Sequence, residues 1–172
     1  MAELIRNRRI EDDTRNVVTL AEGDTPESIT LPAGPALVPL AVWKARHNEL
    51  SEGSGVWLTG DEDPADLADD LAALPVIGVN FPRFADGRGY SIATLLRSRY
   101  GYTGELRAIG DVLRDQFNYL ARCGFDALQP AEGRYTREQL EAALAGFDDF
   151  SEPYQASVAV PSPLFRRVQR AA

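Results

Sequence analysis

The sequence predicts an α/β protein of about four consecutive βα units forming a mainly parallel sheet, open or half-barrel-like. Three observations carry this prediction. From residue 55 onward, short apolar runs alternate with stretches of helical periodicity, and the links between them are only a few residues long. The run at 76–81 is apolar except at Asn80 and rich in β-branched residues near its start, as expected of a strand covered on both faces. A chain of 172 residues accommodates one such core and a small appendage, whereas an eight-unit barrel is too large for it. The expected divisions are an N-terminal strand pair and linker at 1–38, an α/β core at 39–147 and a wrapping C-terminal tail at 148–172.

Each element has its own signal. Leu4-Ile5-Arg6 and Val17-Val18-Thr19-Leu20 are expected to pair as strands across the polar turn Glu11-Asp12-Asp13-Thr14. Residues 21–34, with two prolines and two glycines, read as a linker, and Pro39 opens a helical stretch at 40–50. A strand at 55–58 precedes a helix at 64–74, where Leu67, Leu71 and Leu74 share a face and Asp63 is the cap. The strand at 76–81 leads to a helix at 92–100, and a strand at 105–109 to a helix at 112–123 that Gly124 stops. A fourth strand at 125–128 precedes a helix at 136–144 capped by Thr136. Phe150, Tyr154, Leu164 and Phe165 make the tail too apolar for a spacer, so it is expected to wrap over the core or a partner.

Composition narrows the function classes. The formal charge is -8, but residues 1–74 hold 15 acids against 6 bases, and residues 75–172 hold 11 acids against 12 bases, all arginine. Arginine offers a planar fork for carboxylates and oxyanions, yet no basic stripe marks a nucleic-acid partner. No apolar run approaches the roughly 18 residues that span a bilayer, and no export signal opens the chain, so a cytoplasmic protein without membrane contact is expected. The single cysteine, Cys123, is read as a buried small hydrophobe and excludes an internal disulfide or a cysteine-held cluster. His47 is the only histidine and is read as a surface residue, so neither a histidine triad nor a zinc site has its residues, and no metal is expected.

The leading candidate site is Asp86-Gly87-Arg88-Gly89-Tyr90-Ser91, between a strand and a helix. Helix starts expose unpaired amides, and Arg88 with the amides around Gly87, Gly89 and Tyr90 forms a candidate oxyanion grip. Parallel α/β architecture places strand C-terminal ends on one rim, so Asp111, Arg114 and Asp115 from the next crossing are expected to share a crevice with Arg83 and the 86–91 loop. Asp86 and Asp111 are the candidates for proton transfer, and Tyr90 for stacking or donation. The structural alternative stays open: Asp86 and Ser91 satisfy helix-start amides while Arg88 pairs with Asp111. The loop matches neither a phosphate-binding loop, a dinucleotide fingerprint nor a calcium loop. Arg97, Tyr100 and Tyr102 belong to the opposite rim, as a partner surface or as packing for a helix end. Arg107, inside a strand, needs a carboxylate, and Glu105 on the same face is the simplest partner.

The stretches at 80–91, 101–116 and 122–127, with Trp43, Gly55-Val56-Trp57-Leu58 and Pro163-Leu164-Phe165-Arg166-Arg167, closely resemble a bacterial family catalogued as domain of unknown function 934. That family is often labelled a probable oxidoreductase of sulfite reduction. Asp86, Gly87, Arg88, Gly89, Tyr90, Arg107, Gly110, Asp111, Arg114 and Asp115 are the matched motif positions. The resemblance implies a place in assimilatory sulfate and sulfite reduction. No cysteine set or recognised flavin or nicotinamide motif is present, so siroheme and an iron–sulfur cluster are expected only on a partner, the sulfite reductase hemoprotein or another sulfate-assimilation enzyme. The expectation is an accessory protein that binds a sulfur oxyanion or the reductase subunit. The alternatives are a small oxidoreductase with an unrecognised cofactor and a non-catalytic assembly scaffold, and the apolar tail also fits a homo-oligomer.

Overall fold

The structure is a computed structural model and describes residues 2–167. The chain opens with β1 (Ala2–Arg6) and β2 (Arg9–Asp13), paired antiparallel from Ala2 against Asp13 to Arg6 against Arg9. Asn7 and Arg8 between them both take positive φ, 49° and 63°, the backbone of a two-residue hairpin whose twist matches its strands. The partner of β1 is therefore Arg9–Asp13, not the expected segment at 17–20. The acids Glu11 and Asp13 read as turn residues because they are charged; they stand in a strand because arginines meet them on its inner face. Only β3 (Asn16–Val17) remains of the expected second strand, and it pairs parallel with β4 (Ala36–Pro39). Strand β4 lies between the expected linker at 21–34 and the helix at 40–50, where no strand was expected; Ala36, Leu37 and Val38 are fully buried.

From there strand and helix alternate. α1 (Leu40–Arg46) follows β4 directly, with Pro39 as its N-cap. β5 (Gly55–Leu58) leads through a 3-10 turn at Pro64–Leu67 to β6 (Val76–Phe81). Asp63 caps that turn by accepting from the Ala65 amide at 2.9 Å, but no α-helix fills 64–74. Leu67 and Leu74 are buried by consecutive tight turns, which reproduce the apolar spacing of a helix. α2 (Arg88–Ser98), β7 (Glu105–Gly110), α3 (Phe117–Cys123), β8 (Ala127–Pro130) and α4 (Arg137–Ala143) complete the repeat. Gly124 ends α3 in the left-handed region, and Thr136 caps α4, its hydroxyl accepting from the Gln139 amide while Gln139 Oε1 accepts from the Thr136 amide. The tail runs along α3, where the Ala159 amide donates to Arg122 O, and ends in α5 (Leu164–Arg167). Its anchors Phe150, Tyr154, Leu164 and Phe165 face solvent instead of closing over the core. Among the described residues no helix is long and apolar enough to cross a membrane.

The strand order β2-β1-β8-β7-β6-β5-β4-β3 makes one eight-stranded mixed sheet, parallel from β3 to β8 and antiparallel at β1. Laid flat, its edge strands would lie about 34 Å apart at the usual strand spacing. Yet β2 and β3 are those edges, and only Thr14 and Arg15 separate them in sequence, a span of at most about 11 Å. The sheet must therefore curl, and it forms a half-barrel. One set of strand residues, including Val38, Val56, Ile77, Val79, Leu106, Ala108 and Leu128, meets the helices in the main core. The alternate set faces the inside of the curl, where Leu37, Trp57, Val76 and Ile109 form a separate small cluster.

Candidate functional site

The inner face is built in rows set by strand register. Trp57, Gly78, Arg107 and Ala127 align across β5 to β8, and Asn80, Ile109 and Gln129 align one step nearer the C-terminal ends of the strands. Gly78 makes room for its neighbour: a Cβ there would stand 2.9 Å from Cβ of Trp57. The indole of Trp57 crosses the curl and donates to Val18 O at 2.8 Å.

Arg107 is the largest fully buried side chain among the described residues. Its Nε donates to Glu105 at 2.7 Å and its Nη1 to Gln129 Oε1 at 2.9 Å, which bears out Glu105 as its partner. Its Nη2 lies 2.5 Å from Asp13 Oδ2, an ion pair without the alignment of a hydrogen bond. Asp13 belongs to β2, three strands away, a reach that only the curl permits. Arg6 bridges Glu105 at 2.7 Å and Glu11 at 2.6 Å, and Arg15 holds Asp13 at 3.3 Å and Gly53 O at 2.9 Å. Burial pushes the Asp13 carboxyl up, but the Arg107 and Arg15 charges and the Arg15 amide outweigh it and hold the group below the usual carboxylate value. Three guanidiniums and three carboxylates thus neutralise one another inside the sheet.

Above this network the curl opens as a cleft of about 980 Å³ at the C-terminal ends of the strands, where ligands of parallel α/β sheets bind. Its walls include Val17, Trp57, Ile109, Pro130 and Leu140, and its polar lining includes Asn80, Gln129 and Tyr135. Four carboxylates line it, Glu3, Asp12, Asp13 and Glu132, against one guanidinium, Arg15.

The 86–91 loop sits outside the cleft. Helix α2 starts at Arg88, so the run is its first turn. Arg88 donates to Asp86 through Nε at 2.9 Å and Nη2 at 2.7 Å, and pairs with Asp61 through Nη1; it does not reach Asp111. Asp86 also accepts from the Arg88 amide, and these bonds lower its carboxyl to about 2. Neither Gly87 nor Gly89 takes positive φ. Gly89 is needed for packing, since a Cβ would stand 2.6 Å from the ring of Phe81. Tyr90 packs between Phe81 and Tyr119, and burial pushes its hydroxyl up to about 12.

The β6 and β7 crossings do meet. The Phe84 amide donates to Asp111 at 3.0 Å and Gln116 Nε2 donates to Phe84 O at 2.9 Å, leaving the Phe84 ring 57% exposed. Arg83, Ser91 and Asp115 are exposed near by. Asp111 is paired with Arg134 at 3.4 Å, and Arg114 turns to Asp149 at 3.1 Å. On the opposite rim Arg97 caps the carbonyls of Gly124, Tyr102 and Gly104, and Tyr102 is buried, so that patch packs a helix end. Cys123 is buried and its thiol is pushed up by burial.

Sequence reasoning missed Asp13, Arg15, Trp57 and Gln129 as cleft residues. Two signals pointed there: Asn80 as the lone polar group in an apolar strand, and Arg107 as a charge that must find a partner. No curated protein and no solved structure matches the chain. A family model described as a bacterial protein of unknown function, DUF934, matches residues 55–165, which include Trp57, Asn80, the 86–91 loop, Arg107, Ile109 and Gln129, and this chain belongs to that family.

Proposed function

We propose that this protein is an accessory component of assimilatory sulfite reduction that engages the sulfite reductase hemoprotein through the rim formed by the β6 and β7 crossings. The pathway rests on the family resemblance. The choice of a protein partner over a free sulfur oxyanion rests on one observation: Arg88 is already held by Asp86 and Asp61, while Phe84 beside it is anchored through its backbone and exposed through its ring. A sulfite ion would have to displace two carboxylates from Arg88, whereas a protein surface gains an aromatic anchor next to the arginine Arg83. Asp86, Asp111, Arg114 and Asp115 then shape and orient that rim.

Binding of the purified hemoprotein, followed by interferometry and co-elution, tests this. Saturable binding is expected, weakened at least about tenfold by Phe84→Ala combined with Arg83→Ala, as for loss of a central anchor. Calorimetric titration with sulfite or sulfate should give no saturable heat. Tight sulfite binding abolished by Arg88→Ala, with no hemoprotein complex, would replace this reading with the oxyanion one.

A further inference from the structure

We propose that the cleft inside the curled sheet is a second, separate site that takes a planar heteroaromatic ligand, uncharged or cationic, with hydrogen-bonding groups at both ends of its ring system. The volume of about 980 Å³ is that of a small-molecule site and far more than a single anion needs. Trp57 and Ile109 give the wall for a flat ring.

The polar groups define the ends of the ligand. Gln129 is 8% exposed and lines the cleft; its Oε1 is fixed by Arg107, whereas its Nε2 makes no hydrogen bond among the described residues. A donor held this way, with its own acceptor committed, needs an acceptor from whatever fills the space. Asn80 sits in the same row on the other side of Ile109, and its side-chain amide likewise makes no hydrogen bond among the described residues. The Cα atoms of these two residues lie two strands apart, roughly 10 Å. That separation suits a bicyclic or tricyclic ring spanning Ile109, gripped by an amide at either end.

Charge defines what the ligand is not. Of the four carboxylates lining the cleft, Asp13 is held by Arg107 and Arg15 and Glu3 by Arg137 at 2.8 Å, which leaves Asp12 and Glu132 without an ion pair among the described residues, while the one lining guanidinium, Arg15, is spent on Asp13 and Gly53 O. Arg107 offers no free charge, being neutralised by Glu105 and Asp13. Phosphate, sulfate and sulfite groups therefore meet a repulsive field, and a nucleoside should bind where its nucleotide does not.

The test pairs uncharged or cationic ligands with their phosphorylated counterparts on the full chain: riboflavin with flavin mononucleotide, adenosine with its monophosphate, and nicotinamide riboside with its mononucleotide. Calorimetry and tryptophan quenching, with Trp57→Phe separating the signal from that of Trp43, give the affinities. At least one unphosphorylated member should bind saturably below millimolar concentration, tighter than its phosphorylated partner by about tenfold at low salt, with the gap closing as salt rises. Asn80→Leu should weaken it several-fold while the unfolding midpoint stays near wild type, and Gln129→Leu should weaken it as much with a lowered midpoint, because the buried Arg107 Nη1 loses its acceptor. Glu132→Lys should narrow the phosphate penalty. The proposal is overturned if no unphosphorylated member binds, if the phosphorylated forms bind tighter, or if both amide variants bind as wild type does. Hemoprotein binding through Phe84 is measured separately, so either reading can fail while the other stands.

Discussion

Arg107 and Arg88 make the same arrangement in opposite surroundings. Each guanidinium holds two carboxylates, Glu105 and Asp13 for one, Asp86 and Asp61 for the other. The Arg107 side chain is fully buried inside the curl, whereas that of Arg88 is 52% exposed at the start of α2. In water a lost ion pair is replaced by hydration, so the exposed cluster is a local arrangement that a partner can rearrange. Inside the sheet no such replacement exists, and each charge depends on all the others. The inner cluster therefore holds the two ends of the half-barrel in place and orients Gln129, while the outer one shapes a loop.

The largest expected effect follows from breaking the inner cluster. Arg107→Leu removes the one fully buried cation that Glu105 and Asp13 share, stranding them with only the outer arginines Arg6 and Arg15, and should lower unfolding free energy by about 3–5 kcal/mol in urea denaturation. Adding Asp13→Asn and Glu105→Gln to the same chain removes the stranded charges and should recover most of that loss, because a buried pair costs more to break than to omit. A loss of under about 1 kcal/mol from Arg107→Leu alone would erase the contrast between the two arginines.

Acid sharpens the contrast. The Asp13 carboxyl is held below its usual value of 3.8, so the unfolded chain takes up that proton first as pH falls. Its contribution to stability is complete above about pH 4 and is lost as pH falls below that value. Asp86 is lowered to about 2 by its bonds to Arg88, and its contribution is likewise lost as pH falls below about 4. The two should separate by salt. At high ionic strength Asp86→Asn should unfold with the same pH dependence as wild type, since its charges are screened, whereas Asp13→Asn should still flatten the acid limb. Urea midpoints between pH 5 and pH 2, at low and high salt, measure both. Equal salt sensitivity of the two variants would mean that water reaches the inner cluster.

Much of the α/β core was legible because its signals are local. Val76–Phe81 and Glu105–Gly110 are apolar on the face that meets the helices, and Thr136 with Gln139 spells a capping box. The N-terminal sixth of the chain was not legible for one physical reason. Glu11, Asp12 and Asp13 look like a solvated turn unless Arg6, Arg15 and Arg107 are known to lie across from two of them, and Arg107 is 94 residues away in sequence from Asp13. β4 hid because its four residues border a proline-rich loop. The cleft hid because it belongs to the curl, which only the Thr14–Arg15 link between the sheet edges reveals. Gly89 was legible as a needed glycine, and the need the structure shows is close contact with the Phe81 ring.

The smallest expected effect is at Arg88. Its side chain is tied to Asp86 and Asp61 and lies across Gly60, where a Cβ would stand 3.1 Å from that of Arg88, so the loop has a defined shape. Defined shape at the surface does not imply stability, since exposed pairs trade side-chain entropy and salt-screened attraction against hydration. Arg88→Ala should leave the urea midpoint at pH 7 indistinguishable from wild type while freeing Asp86, so that Asp86 titrates nearer the usual 3.8 by NMR. In that variant hemoprotein binding should change through loop geometry, and Arg88→Lys should restore part of it without rebuilding the planar fork. A midpoint loss comparable to that of Arg107→Leu would instead make the 86–91 loop a structural keystone, and its matched family positions would then mark folding of α2 against β6 and not a surface kept for a partner.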